Sequence, residues 1–283
     1  MLNMIKMDLY RMFRTKSTYV IWILIAAAVI FTTWMSKLDT QDLNKEALNQ
    51  QTESSVQSEE SEEINLGMSV SLPTQPGEKV TVFDQVYANL QSKFIALFIL
   101  IFAVLFSSAD INSGYIKNIG GQVKSRGNLI FSRAIALFIY TGLSLCLYLI
   151  LQIVMQQVCF GYLVWGDKSN LLKYFFTQML LHYALVLICM AIAVILNSSV
   201  LSMAISICLS MNLMGLIYSV VDVFIHKLGA KNFQLFDYTV TGKIALLPMA
   251  PGSKSILAAV CVAAVFGIGA TAVTGRVFGK RDI

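Results

Sequence analysis

Side chains able to do chemistry are few in this sequence, and they sit in long apolar surroundings. His182 is the only histidine inside an apolar run. An imidazole placed there can serve a transport pathway or sit neutral in a packed interior. Gln152 and Gln156 fall four residues apart, with Gln157 adjacent, so their amides share one helix face. They can hydrogen-bond to other helices or line a cavity. Phe94, Phe98, Phe102 and Phe106 also recur every four residues. That stripe can be packing surface, or the apolar wall of a pathway for a hydrophobic substrate. Ser202, Ser206 and Ser210 form a small-residue stripe that lets another helix approach closely, including one across a dimer interface.

The densest chemistry is basic. Between residues 107 and 133 lie Lys117, Lys124, Arg126 and Arg133, against the single acid Asp110. Ile111, Tyr115 and Ile119 recur at helical spacing and predict a short amphipathic helix from about 110 to 119. Gly120-Gly121 then ends it, since glycine takes a φ > 0 turn at little steric cost. A basic amphipathic piece between two apolar runs belongs on the cytoplasmic side. There it either lies on anionic lipid or presents a face to a soluble partner.

Catalytic constellations are missing from the sequence. There is no G-x-x-x-x-G-K-[ST] for a nucleotide, no H-E-x-x-H and no G-x-S-x-G. No pair of carboxylates falls within an apolar run, as a proton relay would need. The cysteines are Cys146, Cys159, Cys189, Cys208 and Cys261, none in C-x-x-C spacing. They read as buried free thiols, and neither an enzyme nor a resident metal or cofactor is expected.

The elements that must position these residues are membrane spans. Apolar residues make up 57% of the chain and charged residues 13%, about half the charge of a soluble domain. The reading is an all-α polytopic membrane protein with six transmembrane helices, an N-terminal interfacial helix and a large outer loop between the first two spans. Residues 1–16 form the amphipathic helix, with Leu2, Ile5, Leu9, Met12 and Phe13 on its apolar face and Arg11 and Arg14 opposite. The spans are expected at 17–36, 93–109, 129–159, 174–196, 199–222 and 255–275. Residues 37–92 form an extracellular loop with ten acids and three lysines, net −7, in which Val80–Phe83 is a candidate short strand or packed edge. The run Glu59-Glu60-Ser61-Glu62-Glu63 is its densest charge and would attract cations over about 8 Å at physiological salt. Residues 110–128 form a cytoplasmic loop, 223–254 an outer re-entrant or interfacial segment, and 276–283 a basic tail. The N-terminal helix, the 107–133 region and the tail carry eleven of the 21 Lys and Arg residues, which places both termini inside.

This layout resembles the permease subunits of ABC-2 (type V) ATP-binding-cassette exporters. The shared features are the interfacial helix, the outer loop after the first span, the basic loop after the second, the tight 197–199 hairpin and the outer excursion before the last span. The local string is Gly114-Tyr115-Ile116-Lys117-Asn118, then Lys124-Ser125-Arg126 and Ser132-Arg133. It is similar to the family's coupling-helix region, with Asp110 standing where members often carry a glutamate nearer the glycine. The resemblance implies a bacterial plasma-membrane half-pore that pairs with a second permease subunit, as a homo- or heterodimer. It implies two separate ATPase subunits that hold ATP and Mg²⁺ and dock on Ile111, Tyr115, Lys117, Ile119, Lys124, Arg126 and Arg133. It further implies export of, or self-immunity against, a hydrophobic or cationic amphipathic peptide, as in Gram-positive peptide-export and bacteriocin-immunity systems, and no nucleic acid. The rival readings are a secondary transporter or channel, and a membrane-anchored sensor or scaffold whose acidic outer loop binds a ligand.

Overall fold

The computed structural model describes residues 2–50, 70–74, 77–112, 127–227 and 233–280, and these are helical with no strand among them. In chain order the helices are α1 (Leu2–Arg14), α2 (Lys16–Gln50), α3 (Val82–Gln91), α4 (Phe94–Asn112), α5 (Gly127–Phe160), α6 (Lys168–Leu196), α7 (Ser199–Ser210), α8 (Met214–Lys227), α9 (Val240–Leu246) and α10 (Ser253–Gly279). A 3₁₀ turn, Leu235–Tyr238, precedes α9. Four helices are long and apolar enough to cross a membrane: α2 over Lys16–Gln41, α5, α6 and α10. Two more spans arise only if α3 with α4, and α7 with α8, each count as one broken helix. The chain is therefore a helical membrane protein with four to six spanning elements.

Local chemistry explains most of the boundaries. The Asp167 carboxylate accepts from the Ser169 and Asn170 amides and starts α6. Asn197, at φ 52°, ends it in the left-handed conformation, and Ser198 caps α7. At Val80–Phe83 the structure has a helix start, not a strand. Thr81 and Asp84 form a reciprocal capping box, with Thr81 N to Asp84 Oδ2 at 2.8 Å and Asp84 N to Thr81 Oγ1 at 3.1 Å. Residues 82–91 thus belong to the bundle, although the sequence reading put them in the outer loop. α2 likewise runs past Ser36 to Gln50, because nothing there breaks a helix and a polar sequence can continue one beyond the apolar layer.

The core packs α6 against α10 and α4, α4 against α7, and α2 and α1 against α5. α1 docks on α5 through part of the expected apolar face, Leu9 and Met12, together with Asp8. Asp8 and Met12 are its buried residues, while Leu2 and Phe13 are exposed. Ser132 Oγ donates to Asp8 Oδ2 at 2.5 Å, Arg11 lies 3.6 Å from Asp8, and the Arg11 guanidinium sits 4.7 Å from the centre of the Phe106 ring. The apolar residues Leu2 and Phe13 are left for the membrane, as an interfacial helix requires.

Candidate functional site

Three helices contribute polar residues at the same four-residue spacing. From the α3 side come Gln85, Asn89 and Lys93; from α5, Tyr148, Gln152 and Gln156; from α6, Tyr174, Gln178 and His182. None of the nine is more than 1% exposed. A helix places residues i, i+4 and i+8 in one row; the α5 and α6 rows meet Gln85 and Asn89 of α3 inside the bundle, and Lys93 follows just past the end of α3.

Hydrogen bonds stitch the rows together. Asn89 Nδ2 donates to Gln152 Oε1 at 3.4 Å, and Gln152 Nε2 donates to Thr33 Oγ1 of α2 at 3.1 Å. Ser36 Oγ of α2 donates to Gln85 Oε1 at 3.5 Å. The Tyr148 hydroxyl donates to the Gln85 carbonyl and the Tyr174 hydroxyl to the Tyr87 carbonyl, both at 3.5 Å. Gln156 Nε2 donates to the Val80 carbonyl at 2.8 Å and closes one end. Outside the apolar layer at that end, burial raises the Tyr162 phenol above its ordinary pKa, the nearby Val80 backbone and Asp84 charge having smaller effects.

α9 closes the core from another side. Gln178 Nε2 donates to Tyr174 Oη at 3.0 Å and to the Ile244 carbonyl at 2.9 Å. Gln91 Nε2 donates to the Ala245 carbonyl at 2.8 Å. Five polar atoms of these core residues find no hydrogen-bond partner among the described residues: Gln85 Nε2, Asn89 Oδ1, Gln156 Oε1, Gln178 Oε1 and His182 Nε2. Each such buried group costs about 1–3 kcal/mol when left alone, so the core is chemically suited to polar guests.

The break between α3 and α4 is Lys93, which is fully buried at φ 61°. The break between α7 and α8 contains Asn212 at φ 57°. The two breaks meet. Lys93 Nζ donates to Asn212 Oδ1, and Ser210 Oγ donates to the Lys93 carbonyl at 3.0 Å. The helices bend by 50° and 73° at these points. Asparagine tolerates the left-handed region, whereas lysine seldom adopts it. His182 Nδ1 pairs with the Gln178 carbonyl at 2.8 Å.

The structure sorts the residues singled out from sequence. Gln152, Gln156 and His182 come together in this core. Phe102 and Phe106 are buried at 0% and 4% exposure, with Phe102 stacked on Tyr140 at 3.8 Å. They border a cavity of about 270 Å³ with Arg11, Ser108 and Ser199. Phe94 and Phe98 are half-buried and pack edge to face on each other. Within this chain the stripe is thus mostly packing surface. Ser202, Ser206 and Ser210 are fully buried inside the chain, on a helix packed against α4 and α6, so that face is covered without a second subunit. Arg133 is buried too, its Nη1 donating to the Ser107 carbonyl at 3.1 Å. It therefore holds α5 to α4. Ile111 falls in the last turn of α4. Tyr115, Lys117, Ile119, Lys124 and Arg126 lie outside the described residues, as does the acidic run 59–63.

Sequence reasoning did not single out Gln85, Asn89, Lys93, Tyr148, Tyr174 or Gln178. Signals were present: a Thr-x-x-Asp cap at 81–84 opens a helix that places 85 and 89 on one face, and Gln178 precedes His182 by one turn. No family model and no curated protein matches this sequence.

Proposed function

We propose that this chain is the membrane-embedded permease subunit of an ATP-driven exporter of the ABC-2 type, carrying an apolar or amphipathic peptide across a bacterial plasma membrane. The observation that supports it best is the buried polar core framed by two broken helices. Polar side chains and interrupted backbone are costly inside a bilayer and are kept where a path or binding site uses them. The sequence has no nucleotide motif of its own, so energy must come from two ATPase subunits docked on the 110–128 loop, with ATP and Mg²⁺ bound by them. A second permease subunit, identical or similar, completes the pore. Antimicrobial-peptide export or self-immunity is the role such a subunit would serve.

A second reading is an ion-coupled or channel-like transporter acting alone. Lys93 favours it, because a buried cation where two discontinuous helices meet is also how self-contained transporters build a site. Purification of the full chain from its native membrane separates the two. The exporter reading expects a Walker A-bearing ATPase to co-purify, and Lys124→Glu with Arg126→Glu to lower its recovery. Transport that stops with a protonophore and needs no ATPase would overturn it.

A further inference from the structure

We infer that the junction of the two broken helices is a carboxylate site, and that the cargo enters it by a free C-terminal carboxylate. This rests on reading the chain as a transport subunit, and it adds the chemistry that subunit recognises. The first ground is charge. Lys93 is fully buried, and the partner of its Nζ is the neutral amide of Asn212. Among the described residues the one buried acid is Asp8, which is engaged with Ser132 and Arg11. Buried charges are paired or held by several hydrogen bonds, so an opposite charge delivered by a ligand completes this one.

The second ground is backbone. α4 starts at Phe94, directly after Lys93, and α8 starts at Met214, two residues after Asn212. The positive ends of both helices therefore lie at the same junction. The third is His182, 1% exposed and one turn beyond Gln178 on α6, whose Nε2 has no hydrogen-bond partner among the described residues. One lysine matches a single negative charge, which selects a carboxylate over a doubly charged phosphate. The spare amide atoms of Gln85, Gln156 and Gln178 suit the peptide groups that precede such a carboxylate. A cationic side chain would be repelled here, whatever the outer loop attracts.

The test is equilibrium dialysis of labelled N-acetyl-Leu-Leu-Phe, and of its C-terminal amide, against the full chain in lipid nanodiscs, with empty nanodiscs subtracted. The acid is expected to bind about tenfold or more tighter than the amide, the scale of one charge-assisted hydrogen bond. Lys93→Met should bind both alike and Lys93→Arg should keep the preference. Equal binding of acid and amide by the natural chain, a preference that survives Lys93→Met, or no specific binding of the acid at about 1 mM would each overturn the inference. If Lys93→Met fails to fold, the comparison on the natural chain still decides. No ATPase is needed, so a missing ATPase partner sinks the exporter reading and leaves this result standing.

Discussion

Gln178 shows how much one side chain can hold at the residue scale. Its Nε2 serves the Tyr174 hydroxyl and the Ile244 carbonyl, joining α6 to α9. Gln178→Leu keeps much of the volume and removes both donations, leaving the Ile244 carbonyl buried without its donor. Unfolding free energy in detergent micelles should fall by about 1–3 kcal/mol, with transport reduced more than helicity. A variant as stable and as active as the natural chain would mean that the core is inert packing. From sequence, the Gln152/Gln156 pair and His182 were legible because amides and imidazole stand out in apolar runs. Lys93 was not. It sits at the seam between polar and apolar sequence and reads there as an interfacial flank. Its burial depends on Asn212, 119 residues away.

At the element scale, the segment carrying α9 before α10 hangs on a glycine. A Cβ on Gly242 would lie 1.8 Å from the Phe236 carbonyl oxygen, a backbone atom with no freedom to yield. Gly242→Ala should therefore destabilise the chain, despite alanine's ordinary advantage of up to about 1 kcal/mol in a helix. α9 should move away from Gln91 and Gln178. Faster proteolysis between 233 and 252, with transport lost, would be the readout. The serine stripe gives a contrasting case. Ser206→Leu forces a larger side chain between buried helix faces and should cost about 1–3 kcal/mol. The oligomeric state should not change, because the face it disturbs lies inside one chain. A dissociated oligomer with unchanged thermal stability would place the stripe at a subunit interface after all.

For the whole molecule, one end of the bundle gathers α1, the start of α5 and the C-terminal end of α10. Asp8 bonds Ser132 there, and Gly127 and Ala272 border one apolar groove of about 640 Å³. The basic bias of the sequence predicts that this end faces the cytoplasm. Single cysteines introduced at Glu59 and Ser125, in a chain with its own five replaced, should react with an impermeant thiol reagent from opposite sides of sealed vesicles. Labelling of both from the same side would break the topology, and with it the docking of an ATPase on 110–128.

The sequence by itself determined the class, because apolar length and charge depletion admit only a helical membrane protein at this composition. Four spanning helices followed from runs long enough to cross the bilayer. What only the tertiary structure decided is where spans break and what the breaks touch. Residues 82–91 look like loop because Asp84, Gln85, Asn89 and Gln91 lower the mean hydropathy. They are helix, started by the Thr81–Asp84 capping box, and Gln85, Asn89 and Gln91 each find a partner on α2, α5 or α9 in the interior. A local pattern reports the average solvent of a segment. It does not report that another segment more than a hundred residues away supplies the missing acceptor, and that pairing made the site.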